Sequence, residues 1–313
     1  MDLQVSKYTE EFSELWDQFV SSTENSHFMF KRLYMDYHKQ RFEDASLFIL
    51  KKDVIVAVLP ATICGDQVIS HAGLSFGGLI YMKNLTAQMI IQIFELIFNY
   101  FRDVFGIKTF IYKKMPAIYL TSRRQEDEYA LHILGASLFR RDLSSVIEIK
   151  KNPIYSKRRM RSLTRARQEG LIIEKSQNIL EYWSLLEQVL WLQHKVKPVH
   201  TACEMMQLHN NFPDNIKCYL AKLDNKIISG VMIFENKHVA HTQYLANSEA
   251  GRKMGALDFL IDHLLNNVFP NKYFLSLGIS TENSGMYLNE GLHCYKQSFG
   301  ASAIIHDQYV VQL

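Results

Sequence analysis

Several features that define specialised classes of protein are missing from this sequence. Its 313 residues include only four cysteines, Cys64, Cys203, Cys218 and Cys294, and no two of them form a Cys-x-x-Cys pair. Neither a disulfide framework nor a zinc site is therefore expected, and unpaired thiols suit a reducing cytoplasm. Residues 1–10 have no apolar core, so we expect no signal peptide and assign the chain to the cytoplasm.

Long apolar runs and an excess of one charge are also missing. The most hydrophobic run, Met89 to Phe101, contains Glu95 and is too short to cross roughly 30 Å of hydrocarbon, so no transmembrane segment is expected. With 35 Lys and Arg against 32 Asp and Glu, the net charge is only +3, and nucleic-acid binding would need a local patch. The 12 histidines show no His-x-x-x-His spacing, so no metal is expected.

The composition that is present is typical of a folded globular protein. Hydrophobic residues make up 48% and aromatic residues 12%, enough for sizeable β-rich cores, and the length predicts two domains at about 150 residues each. The pattern along the first half predicts a mixed α/β order. Helices are predicted over 10–20, 30–40 (capped by Asn25 or Ser26) and 87–101, and strands over 45–52, 54–63, 67–73, 107–113 and 144–149.

The second half repeats this order at a nearly constant offset. Strand–turn–strand around Asp53 has a counterpart around Asp224, and a helix, a Gly and a closing strand recur at Gly135 and Gly300. Any two α/β domains share some coarse likeness, but four elements in one order favour an internal duplication. Pro153 ends a strand near the join, so we predict domains over residues 1–150 and 151–313.

Three segments of the second half carry a resemblance to a known family: SKRRMRSLTRARQEGLIIE, HTQYLANSEAGRKMGALDFLIDHL and LGISTENSGMYLNEGLHCYKQSFG. Together with the repeat they resemble the GNAT acyltransferase superfamily. More narrowly, they resemble the tandem-GNAT group of BioF2-like acetyltransferase domains and Fem-type peptidoglycan-bridge aminoacyltransferases. The resemblance implies an α/β fold class with two GNAT-like domains, each a mixed, mostly antiparallel sheet flanked by helices, and it implies acyl transfer.

A glycine-containing segment at 251–255 lies between a predicted strand and a predicted helix. A loop there would direct free N–H groups and the positive helix end at an anion, although ordinary strand-to-helix loops also contain glycine. The family pattern Arg/Gln-x-x-Gly-x-Gly/Ala is matched by Arg252 and Gly255, whereas Leu257 takes the last small position. The resemblance implies that acetyl-CoA or another acyl-CoA binds at Gly251, Arg252, Lys253, Met254, Gly255 and Ala256.

Four residues are candidates for the chemistry of acyl transfer to an amine. An ammonium with a pKa near 10 must lose a proton before attack, and His241 or Glu282 could accept it. Alternation along the strand predicts His241 and Gln243 on one face and Thr242 and Tyr244 on the other. The resemblance implies that Tyr295 protonates the leaving group and that Lys296 steadies the oxyanion or a phosphate. Each of the four has a structural alternative: a fixed strand histidine, a helix cap, a core aromatic and a solvated lysine.

A basic helix is predicted over 156–168, just after the join. Its six cations fall within eleven residues and wrap more than one face, which favours contact with a polyanion such as CoA phosphates or an aminoacyl-tRNA over a merely solvated linker helix. They are Lys157, Arg158, Arg159, Arg161, Arg165 and Arg167, and of these Arg158, Arg159 and Arg161 are the candidate phosphate contacts.

Three functions follow from these observations. The first is an N-acyltransferase that moves an acyl group from acyl-CoA to a small-molecule or cell-envelope-precursor amine. The second is a Fem-type transferase that uses aminoacyl-tRNA, and the third is a non-catalytic GNAT-fold binding protein, which Leu257 favours. No Arg-x-x-Gly follows GLSFGGLI in the first domain, so we expect that domain to have lost the donor-binding loop. We expect it to form one side of a cleft for the acceptor, lined by His71 and Tyr81.

Overall fold

The computed structural model describes residues 3–313 and divides them into two compact units. Unit 1 contains the described residues up to Asp142 together with Ile305–Leu313, and unit 2 is Leu143–Ile304. The division differs from the predicted one at the C-terminus, because the last strand of the chain belongs to unit 1. The physical reason is its backbone pairing with a strand of that unit, which sequence order does not reveal.

Unit 1 has two sheets and a long central helix. In the first sheet the strand order is β1-β3-β4-β7. In the second sheet the strands of this unit have the order β17-β8-β6-β5-β2. The elements are β1 (Leu3–Lys7), α1 (Ser13–Ser22), α2 (Arg32–Met35), β2 (Glu43–Asp44), β3 (Leu47–Lys51), β4 (Val54–Leu59), β5 (Thr62–Cys64), β6 (Gln67–Ile69), β7 (Ile80–Tyr81), α3 (Ala87–Phe105), β8 (Thr109–Lys113), α4 (Glu126–Ile133), the first half of β9 (Ser137–Glu148) and most of β17 (Ser302–Gln312).

The core of unit 1 is built around α3. Its stripe Ile90, Ile93, Phe94, Ile97 and Phe101 is fully buried against the sheet strands, as apolar residues at helical spacing predict. The helix begins at the Thr86 cap and ends at Gly106, whose φ of 66° is the left-handed conformation that glycine adopts at a helix end.

Unit 2 is a six-stranded sheet with helices on both faces, in the order β10-β11-β12-β13-β14-β9. All neighbouring pairs are antiparallel except β13 and β14, which are parallel. The further elements are α5 (Lys157–Gln168), β10 (Ile172–Ser176), α6 (Ile179–His194), α7 (Ala202–Asn211), β11 (Ile216–Leu223), β12 (Lys226–Glu235), β13 (Val239–Asn247), α8 (Glu249–Met254), α9 (Ala256–His263, continued by a π-helical turn), β14 (Phe274–Ile279), the β15 (Thr281–Glu282) and β16 (Tyr287–Leu288) hairpin, and α10 (Glu290–Gln297).

The mixed α/β class and the tandem architecture are confirmed. The hairpins β3–β4 and β11–β12 have the same tight turn, with positive φ at Lys52 and Asp53 in one and at Asp224 and Asn225 in the other. Two consecutive residues with positive φ are the signature of a turn that matches the twist of a hairpin. In both halves of the chain a helix, a strand, a short helix and a closing strand follow in the same order, as α3, β8, α4 and β9 and then as α9, β14, α10 and β17.

Two local predictions in unit 1 are wrong. Instead of one helix over 30–40, a single α-helical turn, α2, lies between two 3-10 segments, and His38 breaks the helical backbone. The predicted cap Asn25 does not begin a helix. Its side-chain oxygen accepts from the backbone N–H groups of Thr121 and Ser122, a contact between residues far apart in sequence.

Candidate active site

The central feature of unit 2 is an opening between its two parallel strands. The two strands pair over only three residues each, Val239–His241 of β13 with Phe274–Ser276 of β14. Beyond that point β13 stays with β12 and β14 stays with β9, so the two strands separate. At the point of separation, the Thr242 hydroxyl donates to the Ser276 carbonyl at 3.2 Å. The opening is therefore a gap in the sheet with exposed strand ends on both sides.

A β-bulge lies on β13 exactly beside this opening. The pairing with β12 shifts between Thr242 and Tyr244, which leaves Gln243 as the extra residue. The predicted face assignment is therefore wrong: His241 and Tyr244 pair with residues two apart on β12 and share a face, opposite to that of Thr242. A bulge residue does not take part in the regular hydrogen-bond ladder between the strands. We therefore expect the main-chain N–H at Gln243 to be the hydrogen-bond donor for a developing anion.

His241 lies at the start of the opening. Its Nδ1 is 3.0 Å from the Oγ of buried Ser276. Its Cε1 lies 3.7 Å from the position that a Cβ atom on Gly278 would occupy. The donor and acceptor roles depend on the tautomer. If Nδ1 carries the proton and donates to Ser276, then Nε2 is an acceptor, which is the form that a general base needs.

Lys296 projects from α10 to the end of β14. The side chain is buried, and its Nζ donates to the carbonyl oxygens of Gly278 at 2.9 Å and Ile279 at 2.6 Å. Among the described residues no carboxylate contacts it, and burial lowers its pKa to about 8. An ammonium has three N–H donors, so one remains for a further acceptor. His241 and Lys296 thus both lie against Gly278.

Tyr295 takes part in a different network, on the opposite side of the sheet. Its hydroxyl donates to Asp258 at 3.0 Å, and burial together with that carboxylate raises its pKa well above 10. Asp258 also forms an ion pair with Arg159 and accepts from Ser162 at 2.5 Å. Arg159 in turn donates to Ser298 and lies over the Tyr295 ring. These contacts favour structural roles for Tyr295 and Arg159, because each would have to leave a buried partner to act.

The predicted donor loop is helical. It forms α8, which Ser248 caps by accepting from the Gly251 N–H, while the Gly255 N–H donates to the Gly251 carbonyl. An added side chain on Gly251 would meet the Ile228 carbonyl at 2.5 Å, and one on Gly255 would meet the Ser162 Oγ at 2.4 Å. The turn therefore packs directly on β12 and on α5, and the N–H groups of Gly251, Arg252 and Gly255 are bonded internally.

The remaining candidates in this segment are divided between the surface and the core of unit 2. Arg252 and Lys253 are exposed, and Lys253 pairs with Glu249. Met254 is half-buried and Ala256 is buried, both in the core of unit 2.

Three of the exposed cations of α5 follow one stripe of the helix. Arg158, Arg161 and Arg165 recur at helical spacing and are exposed, in contrast to buried Arg159. Arg165 donates to the carbonyl of Lys253 at 2.8 Å, which places the stripe beside α8. Phosphate contacts are thus available from side chains here, although not from the main chain of α8.

Glu282, the second candidate base, lies on β15. It is exposed, and its Oε1 accepts from the Asn289 side chain at 2.8 Å. His241 and Lys296 therefore have Gly278 of β14 as a common neighbour, whereas the described partner of Glu282 is Asn289.

Unit 1 fills the equivalent position with its own chain. β6 pairs parallel with β8, after which residues 70–79 leave the sheet and return as β7 on β4. Half-buried Lys113 donates to the carbonyls of His71, Ala72 and Leu74 in that segment, and desolvation lowers the pKa of Lys113 to about 8. His71 is buried with φ of 67°, and Tyr81 donates to Glu126 at 3.1 Å. The acceptor-cleft role of His71 and Tyr81 stays a prediction.

No role was predicted from the sequence for four residues that shape this region: Ser276, Gln243, Ser162 and Asp258. Ser276 and Ser162 have no motif of their own, and a bulge leaves no mark in the hydrophobic pattern. Asp258 could have been noticed as an acid in the first turn of a helix, where carboxylates are favourable. In residues 3–313 no three His, Cys, Asp or Glu side chains are grouped as a metal ion would require.

Comparison with known proteins identifies the fold. No family model matches the sequence, and no curated protein does. FemX is 9% identical over 99% of this chain and 97% of its own, with a TM-score of 0.67. The C-terminal domain of a putative lysylphosphatidylglycerol synthetase from Agrobacterium fabrum is 14% identical over 96% and 91%, with a TM-score of 0.63. A tandem GNAT protein from the clavulanic acid biosynthesis pathway is 9% identical over 99% and 98%, with a TM-score of 0.52.

These similarities confirm the fold that the sequence motifs implied. At such low identity they show architecture, and the architecture is the tandem GNAT fold over the whole length of the chain.

Proposed function

We propose that this protein is an acyltransferase that acts on an amine, with its active site at the opening between β13 and β14 in unit 2. The observation that carries the proposal is that His241 and Lys296 both lie against Gly278, on the strand β14 that separates from β13. Aminolysis of an ester or thioester requires a proton acceptor, for which His241 is the candidate, and a hydrogen-bond donor to the oxyanion, for which Lys296 is the candidate. Its structural neighbours FemX and the tandem GNAT protein share the fold that forms this opening.

The proposed reaction begins with the acceptor ammonium giving a proton to Nε2 of His241, whose Nδ1 donates to Ser276. The free amine attacks the donor carbonyl, and the oxyanion is stabilised by the third N–H of Lys296 and by the backbone at the Gln243 bulge. The C–N bond forms, the C–S or C–O bond to the donor breaks, and the His241 proton passes to the leaving group. The attacking nitrogen then gives its second proton to the neutral His241, which releases it to solvent, so that the amide product is neutral. Tyr295 could protonate the leaving group only by giving up its bond to Asp258.

Acyl-CoA is the donor that the sequence resemblance implies, and it is the first candidate. The thioester would enter the opening, and exposed Arg252 would contact phosphate. The internally bonded turn of α8 offers no main-chain cradle for a pyrophosphate, so this donor would depend on side chains and on the start of α9, which no side chain of the described residues caps.

The second candidate donor is an aminoacyl-tRNA, and a specific observation favours it. Arg158, Arg161 and Arg165 form an exposed stripe on α5, which suits a polyanion larger than a cofactor. The acceptor would then be an amine of a small molecule or of a cell-envelope precursor.

The deciding experiment offers purified protein acetyl-CoA and aminoacyl-tRNA in parallel. Acyl-CoA use predicts a rise in the unfolding midpoint with CoA, because a ligand that binds only the native state stabilises it. Aminoacyl-tRNA use predicts salt-dependent binding that R158A/R161A weakens, with the salt slope falling by about one unit per lost phosphate contact.

R102A/R123A, which removes two exposed arginines from unit 1, is the matched control and should leave binding unchanged. If neither donor binds, the proposed acyltransferase function is wrong, and if K296M retains full transfer activity, the oxyanion role proposed for Lys296 is wrong.

A further inference from the structure

The segment Trp191–Val199, which ends α6 and leads to α7, exposes apolar side chains that nothing in the proposed reaction uses. Trp191 is 54% exposed, Leu192 65%, Val196 50% and Val199 80%. Isolated exposed aliphatic residues are ordinary, but four large exposed apolar side chains within nine residues are a local concentration of the kind that marks an interaction site, and this segment is called the patch below.

Positive charge alone accompanies this patch. Lys195 and Lys197 lie within the segment, both are exposed, and the Lys195 ammonium lies 5.5 Å from the centre of the Trp191 ring. The sequence has no Asp or Glu between Glu187 and Glu204. The patch therefore combines apolar tips with cations in one short stretch of chain.

Both ends of the segment are fixed. α6 ends at Lys195, whose φ of 56° and N–H bond to the Trp191 carbonyl close the helix. α7 begins at Thr201, which forms a capping box with Glu204, and the preceding His200 is buried with its Nδ1 2.5 Å from the Tyr244 hydroxyl. The exposure of Val196 and Val199 is thus imposed by the helix ends on both sides.

We propose that the Trp191–Val199 segment docks this protein on the surface of an anionic lipid bilayer. A bilayer interface presents negative headgroups above an apolar layer, so it satisfies the two lysines and the apolar tips together. Tryptophan has an apolar body and a polar N–H, and it is favoured at that depth. A protein partner would need a separate acidic rim and apolar pocket. No helix within residues 3–313 is long and apolar enough to span a membrane, so this is a surface contact.

The three tryptophans of the chain allow a direct test. Trp16 and Trp183 are 0% and 1% exposed, so a change of tryptophan emission on docking would come from Trp191. The full-length protein is mixed with phosphatidylcholine vesicles that either contain or lack phosphatidylglycerol. We expect a blue shift of the emission and co-sedimentation with the anionic vesicles, both weakened by salt.

Matched variants separate the two contributions. K195Q/K197Q should weaken vesicle partition about fivefold per lysine, and W191A should weaken it about tenfold. K226Q/K237Q removes two exposed lysines elsewhere in unit 2, and V104S removes an exposed apolar residue of unit 1. Both should bind like the parent protein.

Three results would overturn the assignment. The first is the absence of an emission shift with anionic vesicles. The second is an emission shift that aminoacyl-tRNA produces and vesicles do not, which would make the segment a nucleic-acid contact. The third is an emission shift that follows protein concentration without vesicles and accompanies dimer formation in sedimentation, which would mean that a second copy covers the patch. None of these depends on acyl transfer, so the proposal stands or falls independently of the proposed function.

Discussion

Lys296 is the residue whose chemistry depends most on its surroundings. Its ammonium is buried, held by two carbonyls and unneutralised by any contacting carboxylate in the described chain. Desolvation disfavours the charged form, so the pKa falls to about 8 and the charge is retained near neutrality. A group of this kind donates strongly to an oxyanion and has a defined pH limit.

We predict that K296M lowers turnover at least about 100-fold, the usual cost of losing one oxyanion donor. In the parent protein, turnover should fall as the pH rises through about 8, because only the protonated amine donates. The measurements are the transfer rate of the variant and the pH–rate profile of the parent. K226M, an exposed lysine of the β11–β12 turn, is the control. A parent rate that stays flat well above pH 8 would contradict the role.

Asp258 carries the second prediction at this scale. It is nearly fully buried and holds Arg159, Ser162 and Tyr295 together. D258A leaves the buried Arg159 charge uncompensated, so the free energy of unfolding of unit 2 should drop by about 3–5 kcal/mol. Urea unfolding measures it, with E249Q, which breaks the fully exposed pair to Lys253, expected to be nearly neutral. Similar losses in both variants would refute the network.

Single residues were predicted from the sequence only where a motif marked them. His241 and Lys296 were identified as candidates because one is a titratable strand residue before a Gly-containing segment and the other matches a family pattern. Ser276, which fixes the His241 ring, was not predicted, since a serine in a buried strand looks like any other. Its importance comes from the parallel register with β13, which is a tertiary property.

At the scale of elements, the contact between α5 and the α8–α9 junction decides whether a phosphate cradle can form. Gly255 ends α8 with φ of 77°, and an added side chain would collide with both the Oγ and the carbonyl of Ser162. The junction is therefore closed by packing, and α5 is part of that packing as well as a basic surface.

Gly255→Ala tests this contact against a glycine of the same conformation. Gly170 has φ of 71° with no atom within 4 Å of an added side chain. G170A should cost only the strain of the left-handed backbone, about 1–2 kcal/mol. G255A should cost that strain plus about 1–3 kcal/mol of overpacking. Equal changes in the unfolding midpoint would show that α5 yields easily at Gly255, and that the turn could open for a donor.

Element type was largely predictable, whereas local irregularity was not. Apolar periodicity predicted α3 and the β3–β4 hairpin, because burial on one face imposes the pattern directly. The bulge at Gln243 shifts the alternation of β13 by one residue, and no residue type announces it. Pro60 lies between β4 and β5, which splits the single strand predicted over 54–63.

For the whole molecule, element order was the strongest sequence signal, and strand pairing was the weakest. The repeat predicted two copies of one fold, and the tandem GNAT architecture confirms it. Which closing strand completes which unit depends on pairing between residues about 200 positions apart, such as Thr109 with Gln312. Two similar closing strands satisfy the same local pattern, so the sequence does not distinguish them.

The last strand therefore allows a test of the unit division. Val311 pairs with Phe110 on β8 and is buried in the core of unit 1, so V311A should destabilise that unit by about 2 kcal/mol. Hydrogen exchange should then accelerate in Thr109–Lys113 and leave Ile216–Leu223 protected, since local stability follows the cooperative unit to which a segment belongs. I305A, at a half-exposed position of the same strand, should change neither. Faster exchange confined to Ile216–Leu223 would show that β17 stabilises unit 2 instead.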